Sequence, residues 1–246
     1  MASLAELARR LKRRETAAHP PAVRLPAAGR LPALILMTDA ARLPDPEAAI
    51  ARLPRHSAVI LRHPDDRERH RLARRLADLC RRLGLRLLIA ADVRIAADVR
   101  LADGARLAAD VGAGGLHLSE AMLQHGPRGW RLLRRPGWLV TAAAHSPAAI
   151  RAAAQAGVDA VLLSPVFPTA SHPGAAALGP LKFAHLARQS PLPVYALGGV
   201  TTATAPRLAA SGAAGFAAIG GLAPSSLAQS PSAQSSPARS CSGERL

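Results

Sequence analysis

Two glycine pairs make the most specific chemical suggestion in this chain. Gly198-Gly199 and Gly220-Gly221 each close a short apolar run, Pro193 to Leu197 and Gly215 to Ile219. Without Cβ atoms the backbone N–H groups can approach an anion closely, and where a helix follows they point at it with a favourable dipole. Thr201 and Thr202 are expected to open such a helix. A tight turn also uses glycine, but two pairs at corresponding ends of successive runs favour a phosphate seat built from Gly198, Gly199, Ile219 and Gly220.

Polar side chains stand at the ends of the other apolar runs: Thr38 and Asp39, Arg62 and His63, His117 with Ser119 and Glu120, Thr141, His145, then Thr169, Ser171 and His172. Any one of them is compatible with a helix cap or a solvated surface. Their weight comes from convergence, because run ends that belong to one parallel sheet share one rim.

Such a rim has to be built by the rest of the chain. From about Leu31 onward, short apolar runs alternate with longer segments of helical period, as parallel strands require when each crossover returns to the same edge. The runs are Ala33 to Thr38, Ser57 to Arg62, Leu85 to Ala90, Gly114 to Leu118, Trp138 to Ala142, Asp159 to Ser164, Pro193 to Leu197 and Gly215 to Ile219. Asp45-Pro46-Glu47 and Ser146-Pro147 each place a capping side chain before a proline at the first helical position. Gly84 and Gly157 stop helical segments just ahead of strands. The fold expected is an α/β protein of one domain, a (β/α)8 TIM barrel, whose ligand site lies in the loops after the strands, with phosphate after strands 7 and 8.

The expected domain spans residues 31–222, preceded by a basic N-terminal helical extension (1–30) and followed by a Ser-, Ala-, Pro- and Gln-rich segment (223–246). That last segment lacks hydrophobic periodicity and reads as a disordered tail. The extension, with Leu4, Leu7 and Leu11 among Arg9, Arg10, Lys12, Arg13 and Arg14, reads as a solvated helix rather than a targeting segment. From Ala90 to Leu101 the motif Ala-Ala-Asp-Val-Arg occurs twice in tandem, a local duplication expected to lengthen the third strand-to-helix segment.

The chain has 246 residues, 49% of them hydrophobic, enough for a substantial core. Its formal charge of +16 is almost all arginine and only 2% of residues are aromatic. Without aromatics interleaved among the cations, a nucleic-acid partner is not expected. No apolar run approaches the length of a membrane span. Cys80 and Cys241 form neither a disulfide framework nor a metal-ligand spacing, so a cytoplasmic location is expected. A homo-oligomer is compatible with this composition.

The stretch Leu163 to His172, Leu-Ser-Pro-Val-Phe-Pro-Thr-Ala-Ser-His, with Ala196-Leu197-Gly198-Gly199-Val200 downstream, resembles the thiamine phosphate synthase/TenI superfamily. Met37-Thr38-Asp39, Leu61-Arg62, Gly115-Leu116-His117-Leu118 and Ala144-His145-Ser146 extend the likeness over roughly Leu31 to Leu222. The resemblance implies a small phosphorylated thiazole or pyrimidine ligand, with Gly198, Gly199, Ile219 and Gly220 at the phosphate and Thr38, His117, Thr169, Ser171 and His172 as substrate contacts.

In the synthase, which joins a pyrimidine diphosphate to a thiazole phosphate, the resemblance also implies Mg²⁺. Here this chain departs. Ile60 and Pro64 stand where Gln and Lys flank the arginine, Ala90 and Ala91 where an Asn-Asp pair is expected, and Met122 at the second metal-binding Asp. Ala143 replaces a serine and His172 a lysine.

The implied activity is therefore that of a TenI-like thiazole tautomerase. It needs no cofactor and no metal, with His145 exchanging the proton and Arg62 orienting the substrate. Histidine suits that work because its ordinary ionisation lies near neutral pH. One alternative is a divergent synthase that uses Mg²⁺ on substitute ligands such as Asp92, Asp98 or Glu120. Another is a non-catalytic phosphate-ligand-binding or regulatory barrel.

Overall fold

The computed structural model describes residues 3–18, 31–91, 97–124, 133–169, 174 and 176–219. Eight parallel strands close on themselves in sequence order: β1 Leu34–Met37, β2 Ala58–Leu61, β3 Arg86–Ala91, β4 Gly115–Leu118, β5 Leu139–Ala144, β6 Ala160–Leu163, β7 Val194–Ala196 and β8 Gly215–Ala218. Each expected apolar run supplies one strand, and β8 pairs with β1 to complete the (β/α)8 barrel.

The strands are apolar on both faces because both are covered, and their period of two divides the core into two layers. Ile35, Met37, Ile60, Leu88, Leu139, Leu162 and Tyr195 fill the barrel interior. Their neighbours Leu34, Leu36, Val59, Leu61, Leu87, Ile89, Val140 and Leu163 face the surrounding helices. Tyr195 is fully buried, and its hydroxyl donates to Pro32 O at 2.6 Å, which satisfies the polar end of an interior aromatic.

The helices are α1 Leu4–Ala18, α2 Pro46–Ala51, α3 Asp66–Leu83, α4 Ala97–Asp110, α5 Glu120–Gln124, α6 Pro147–Ala156 and α7 Gly179–Gln189. The expected caps are present. Asp45 accepts from Ala48 N at 3.0 Å and Ser146 from Ala149 N at 3.1 Å, each before a proline in the first turn. Gly84 and Gly157 end α3 and α6 in the left-handed conformation. The Asp45→Ala variant is expected to lose about 1 kcal/mol of stability, which calorimetry should read as a melting point lower by about 3 °C.

Two expectations are corrected. The N-terminal helix is not merely solvated: Leu4, Ala8 and Leu11, one apolar stripe of α1, are buried where the helix packs on β8 and on the short 3-10 turn Ala205–Leu208. That stripe covers outer barrel surface, a stronger gain than solvating an amphipathic segment. Nor does a helix open at Thr201. Thr201 N donates to Thr204 Oγ1 at 2.9 Å and Thr204 Oγ1 to Gly199 O at 2.8 Å, so hydroxyl-closed turns lead into that 3-10 turn.

The second copy of the tandem repeat enters α4, while residues 92–96, the C-terminal segment and the eighth helix position lie outside the described residues. No described helix is long and apolar enough to cross a membrane. Burial pushes the Cys80 thiol up to about 12, which leaves it a packed thiol rather than a reactive one.

Candidate functional site

A cleft of about 760 Å³ opens at the C-terminal ends of the strands, where the loop rule for this fold places a ligand. Strand parity decides what reaches it. Residues 60 and 62, 117 and 119, 141, 143 and 145, and 162 and 164 share the interior side of their strands, and the last of each set rises to the rim. Arg62, His117, Ser119, Ala143, His145 and Ser164 accordingly line the cleft.

Thr38 has the opposite parity and does not line it. Its hydroxyl accepts from Arg62 N and donates to Arg62 O, both at 2.9 Å, extending the β1–β2 pairing by one rung and fixing the backbone that carries Arg62.

His145 follows β5, tied on two sides. Its N–H donates to Glu120 Oε2 at 2.8 Å, which joins the loops after β4 and β5. Its Nδ1 lies 2.9 Å from Ser164 O and 3.2 Å from Ser164 Oγ. A carbonyl oxygen only accepts, so Nδ1 carries the proton and the basic lone pair is on Nε2. The ring thereby has a fixed orientation and one defined tautomer while remaining an exposed residue at the cleft.

His117 sits deeper. It is buried, and its Nδ1 is 2.9 Å from the hydroxyl of the fully buried Thr141 on the neighbouring strand. His117 lines the cleft, and Thr141 supports it from below. Ser119 Oγ, buried at the cleft wall, has no hydrogen-bond partner among the described residues. A buried hydroxyl in that state suits a ligand contact.

Across the cleft, the loop after β7 packs tightly on the loop after β6. Val166 N donates to Leu197 O at 2.9 Å and Phe167 N to Gly198 O at 3.0 Å. A Cβ on Gly199 would lie 2.6 Å from Pro168 O and 2.7 Å from Phe167 Cβ, and one on Gly198 would lie 2.9 Å from Pro165 Cα. Both glycines also have positive φ, 91° and 64°. Glycine is thus required here by packing alone.

The same geometry leaves the N–H groups of Gly198, Gly199 and Val200 without an acceptor among the described residues, all three at the cleft wall beside Thr201 and, on β8, Ile219. Successive unpaired backbone N–H groups can receive an anion. The helix dipole expected from Thr201 plays no part in it.

Thr169 lines the cleft as expected. Ser171, His172 and Gly220 lie outside the described residues.

Asp39 and Arg42, at the end of β1, also reach the cleft. Asp39 is a polar residue at the end of the first apolar run, and Arg42 follows three residues on, a spacing that lets the two side chains meet. Asp39 Oδ1 accepts from Ala41 N (3.2 Å) and Arg42 N (3.1 Å), and Oδ2 lies 2.8 Å from Arg42 Nη2 and 3.8 Å from Arg62 Nη1. The Arg42 guanidinium, hydrogen-bonded to it, holds the Asp39 carboxyl below the usual carboxylate range against a partial desolvation that opposes it.

The described residues do not present a magnesium donor set, which calls for several oxygen ligands in near-octahedral geometry. Ala90 and Ala91 are buried at the end of β3 and Met122 is buried in α5, where carboxylates would be needed. Asp39 is engaged by two guanidiniums and Glu120 by the His145 N–H. No group of three or more potential metal-ligating side chains occurs among the described residues. Asp92 lies outside them, and Asp98 is in the first turn of α4.

The family model for thiamine monophosphate synthase matches residues 47–222. A thiamine-phosphate synthase of Thiobacillus denitrificans is 33% identical over 162 residues, 64% of this chain and 69% of that protein. One from Myxococcus xanthus is 44% identical over 84 residues, 34% of this chain and 38% of its own length. Among solved structures, thiamine phosphate pyrophosphorylase from Pyrococcus furiosus aligns with a TM-score of 0.56 at 20% identity, over 77% of this chain and 85% of its own, a likeness of fold.

Proposed function

Since the chain belongs to the thiamine monophosphate synthase family, we propose that it is a cytoplasmic enzyme that binds a thiazole phosphate and moves a proton on it through His145, without a metal. The observation that carries this reading is the pairing, across one cleft, of an anion nest at Gly198, Gly199 and Val200 with an imidazole whose tautomer is set by Ser164 O. The nest would hold the phosphate through backbone N–H groups. Nε2 of His145 would take a proton from one carbon of the ring system, and the resulting imidazolium would return it to another, so that no group is gained or lost. His117, Ser119 and Thr169 would contact the heterocycle, Arg62 would orient it, and Ile219 would join the phosphate seat.

A second reading is favoured by the relatives, which are named thiamine-phosphate synthases. It requires Mg²⁺ donors that the described cleft does not present, Asp92 foremost.

The deciding experiment incubates the purified chain with hydroxymethylpyrimidine diphosphate and thiazole phosphate, with Mg²⁺ or with EDTA. It follows thiamine phosphate in one arm and deuterium exchange into the thiazole phosphate in the other. Exchange that persists in EDTA, with no thiamine phosphate formed, is the expected result. Magnesium-dependent thiamine phosphate would overturn the proposal in favour of the synthase, and binding with neither reaction would reduce the chain to a phosphate-ligand-binding barrel.

A further inference from the structure

His145 stands where the chain leaves the sheet. Ala144 is the last residue of β5, its carbonyl still accepting from Ser164 N at 3.1 Å, and Ser146, one residue on, caps α6. A strand end of this kind offers a backbone N–H that water can take. At His145 a side chain from another loop takes it instead, because Glu120 Oε2 accepts the N–H at 2.8 Å. The acceptor is well seated: Glu120 opens α5, whose Met122 and Leu123 are buried and which packs against α6. A bond from N–H to a charged carboxylate is about twice as strong as one to a neutral oxygen.

His145 is thereby anchored at both ends. Glu120 holds its main chain from the β4 side, and Ser164 O holds ring Nδ1 at 2.9 Å from the β6 side. Fixing the two ends sets the direction in which Nε2 points, in a cleft that all three residues line. Direction matters here more than bond energy, since misplacing a reacting group by about 1 Å can cost about 10²-fold in rate.

We propose that Glu120 is a positioning residue, which places the His145 ring for proton transfer by holding the main-chain N–H of residue 145. The inference rests on the reading that His145 carries the proton. What it requires of residue 120 is an acceptor of the right reach. Glutamine keeps both the acceptor and the reach, aspartate keeps the charge but is one methylene short, and alanine keeps neither.

The test compares Glu120→Gln, Glu120→Asp and Glu120→Ala in the full chain, with an unchanged melting point as the check on folding. Nitrogen-15 spectra of the histidine side chains, recorded in EDTA at about pH 8.5, where an ordinary imidazole is neutral, report the His145 tautomer without any substrate; His145→Ala identifies the signal. Wild type and Glu120→Gln are expected to show the Nδ1–H form alone. Glu120→Asp and Glu120→Ala should show a mixture with Nε2–H, as the ring leaves Ser164 O. In isotope exchange on the thiazole phosphate, Glu120→Ala should lose about tenfold to 10²-fold in kcat at nearly constant KM, and Glu120→Gln about threefold at most. A single, unshifted tautomer in Glu120→Ala overturns the proposal. So does a Glu120→Gln variant as impaired as Glu120→Ala, which would make the charge and not the hydrogen bond the active feature. Absence of exchange in the wild type would instead defeat the reading of His145 as proton carrier, and the spectra would still decide whether Glu120 holds the ring.

Discussion

If the chain is the proton-transfer enzyme proposed above, replacing His145 by alanine is expected to lower the rate of proton exchange on the thiazole phosphate by about 10²- to 10⁴-fold, the usual contribution of a positioned general acid or base. Affinity for the same ligand is expected to stay nearly constant, because in the proposed reading the backbone N–H groups of Gly198, Gly199 and Val200, and not the imidazole, hold the phosphate. Removing the ring also leaves the Glu120 contact in place, since that carboxylate accepts from the main-chain N–H of residue 145, which alanine retains. The loop therefore keeps its course and the loss falls on kcat.

Ser164→Ala provides the graded control. It deletes the hydroxyl at 3.2 Å but keeps the carbonyl at 2.9 Å that sets the tautomer, so it should cost far less than His145→Ala. Isotope exchange under single-turnover conditions, with binding followed by calorimetry, separates the two effects. Undiminished exchange in His145→Ala would sink the assignment, and so would a parallel loss of binding, which would make the ring a ligand contact rather than a proton carrier.

What the sequence shows of this site depends on how local each cause is. Asp45 and Ser146 are legible as caps because the hydrogen bond closes within three residues, and the proline that follows marks the turn. The eight strands are legible because each is buried on both faces and reads as a continuous apolar run.

Period-two parity was available in the sequence as well. Counting forward in twos from Ile60 to Arg62, or from His117 to Ser119, assigns each residue to the interior, and the same count turns Thr38 outward and Ser164 inward. Applied to the run ends, it would have replaced Thr38 by Asp39 among the cleft residues and added Ser164.

The remainder depends on contacts that chain order does not reveal. Glu120 and His145 are 25 residues apart, and nothing local to either announces that a carboxylate in one loop accepts the N–H of the next. Gly198 and Gly199 can be read as phosphate seats, but the reason they must be glycine, backbone pressed against Pro165 and Pro168, appears only when two loops are packed together. The same holds for α1, whose stripe of Leu4, Ala8 and Leu11 is amphipathic in any reading but finds β8 only through the closed barrel.

The largest stability effect is expected far from the cleft, at the other end of the barrel. Asp159, just ahead of β6, is buried, and both of its oxygens receive Arg134 Nη2, at 2.8 Å and 2.9 Å, while Oδ2 also accepts from Val140 N at 2.7 Å. The same guanidinium group donates to Gly157 O at 3.4 Å and Trp138 O at 3.2 Å, so one side chain gathers the turn after α6, the approach to β5 and the start of β6.

Asp159→Ala takes the Asp159 carboxylate away from a cation that is only 21% exposed and from the buried Val140 N–H that donates to it. Breaking one side of a buried pair in this way costs about 3 kcal/mol or more, a fall of roughly 10 °C in melting point for a chain of this size. Asp159→Asn, which can still accept from Val140 N, should lose less.

The informative variant is the double one, Arg134→Met with Asp159→Leu. If the cost of the single variant is mainly the stranded charge, removing both partners recovers a large part of it, although the carbonyls of Gly157 and Trp138 lose their donor. Additive losses in the double variant would instead show that the clamp stabilises through its hydrogen bonds to those turns. In either case the rate of exchange at His145, measured well below the melting point, should not move, because this network touches the site only through the stability of β5 and β6.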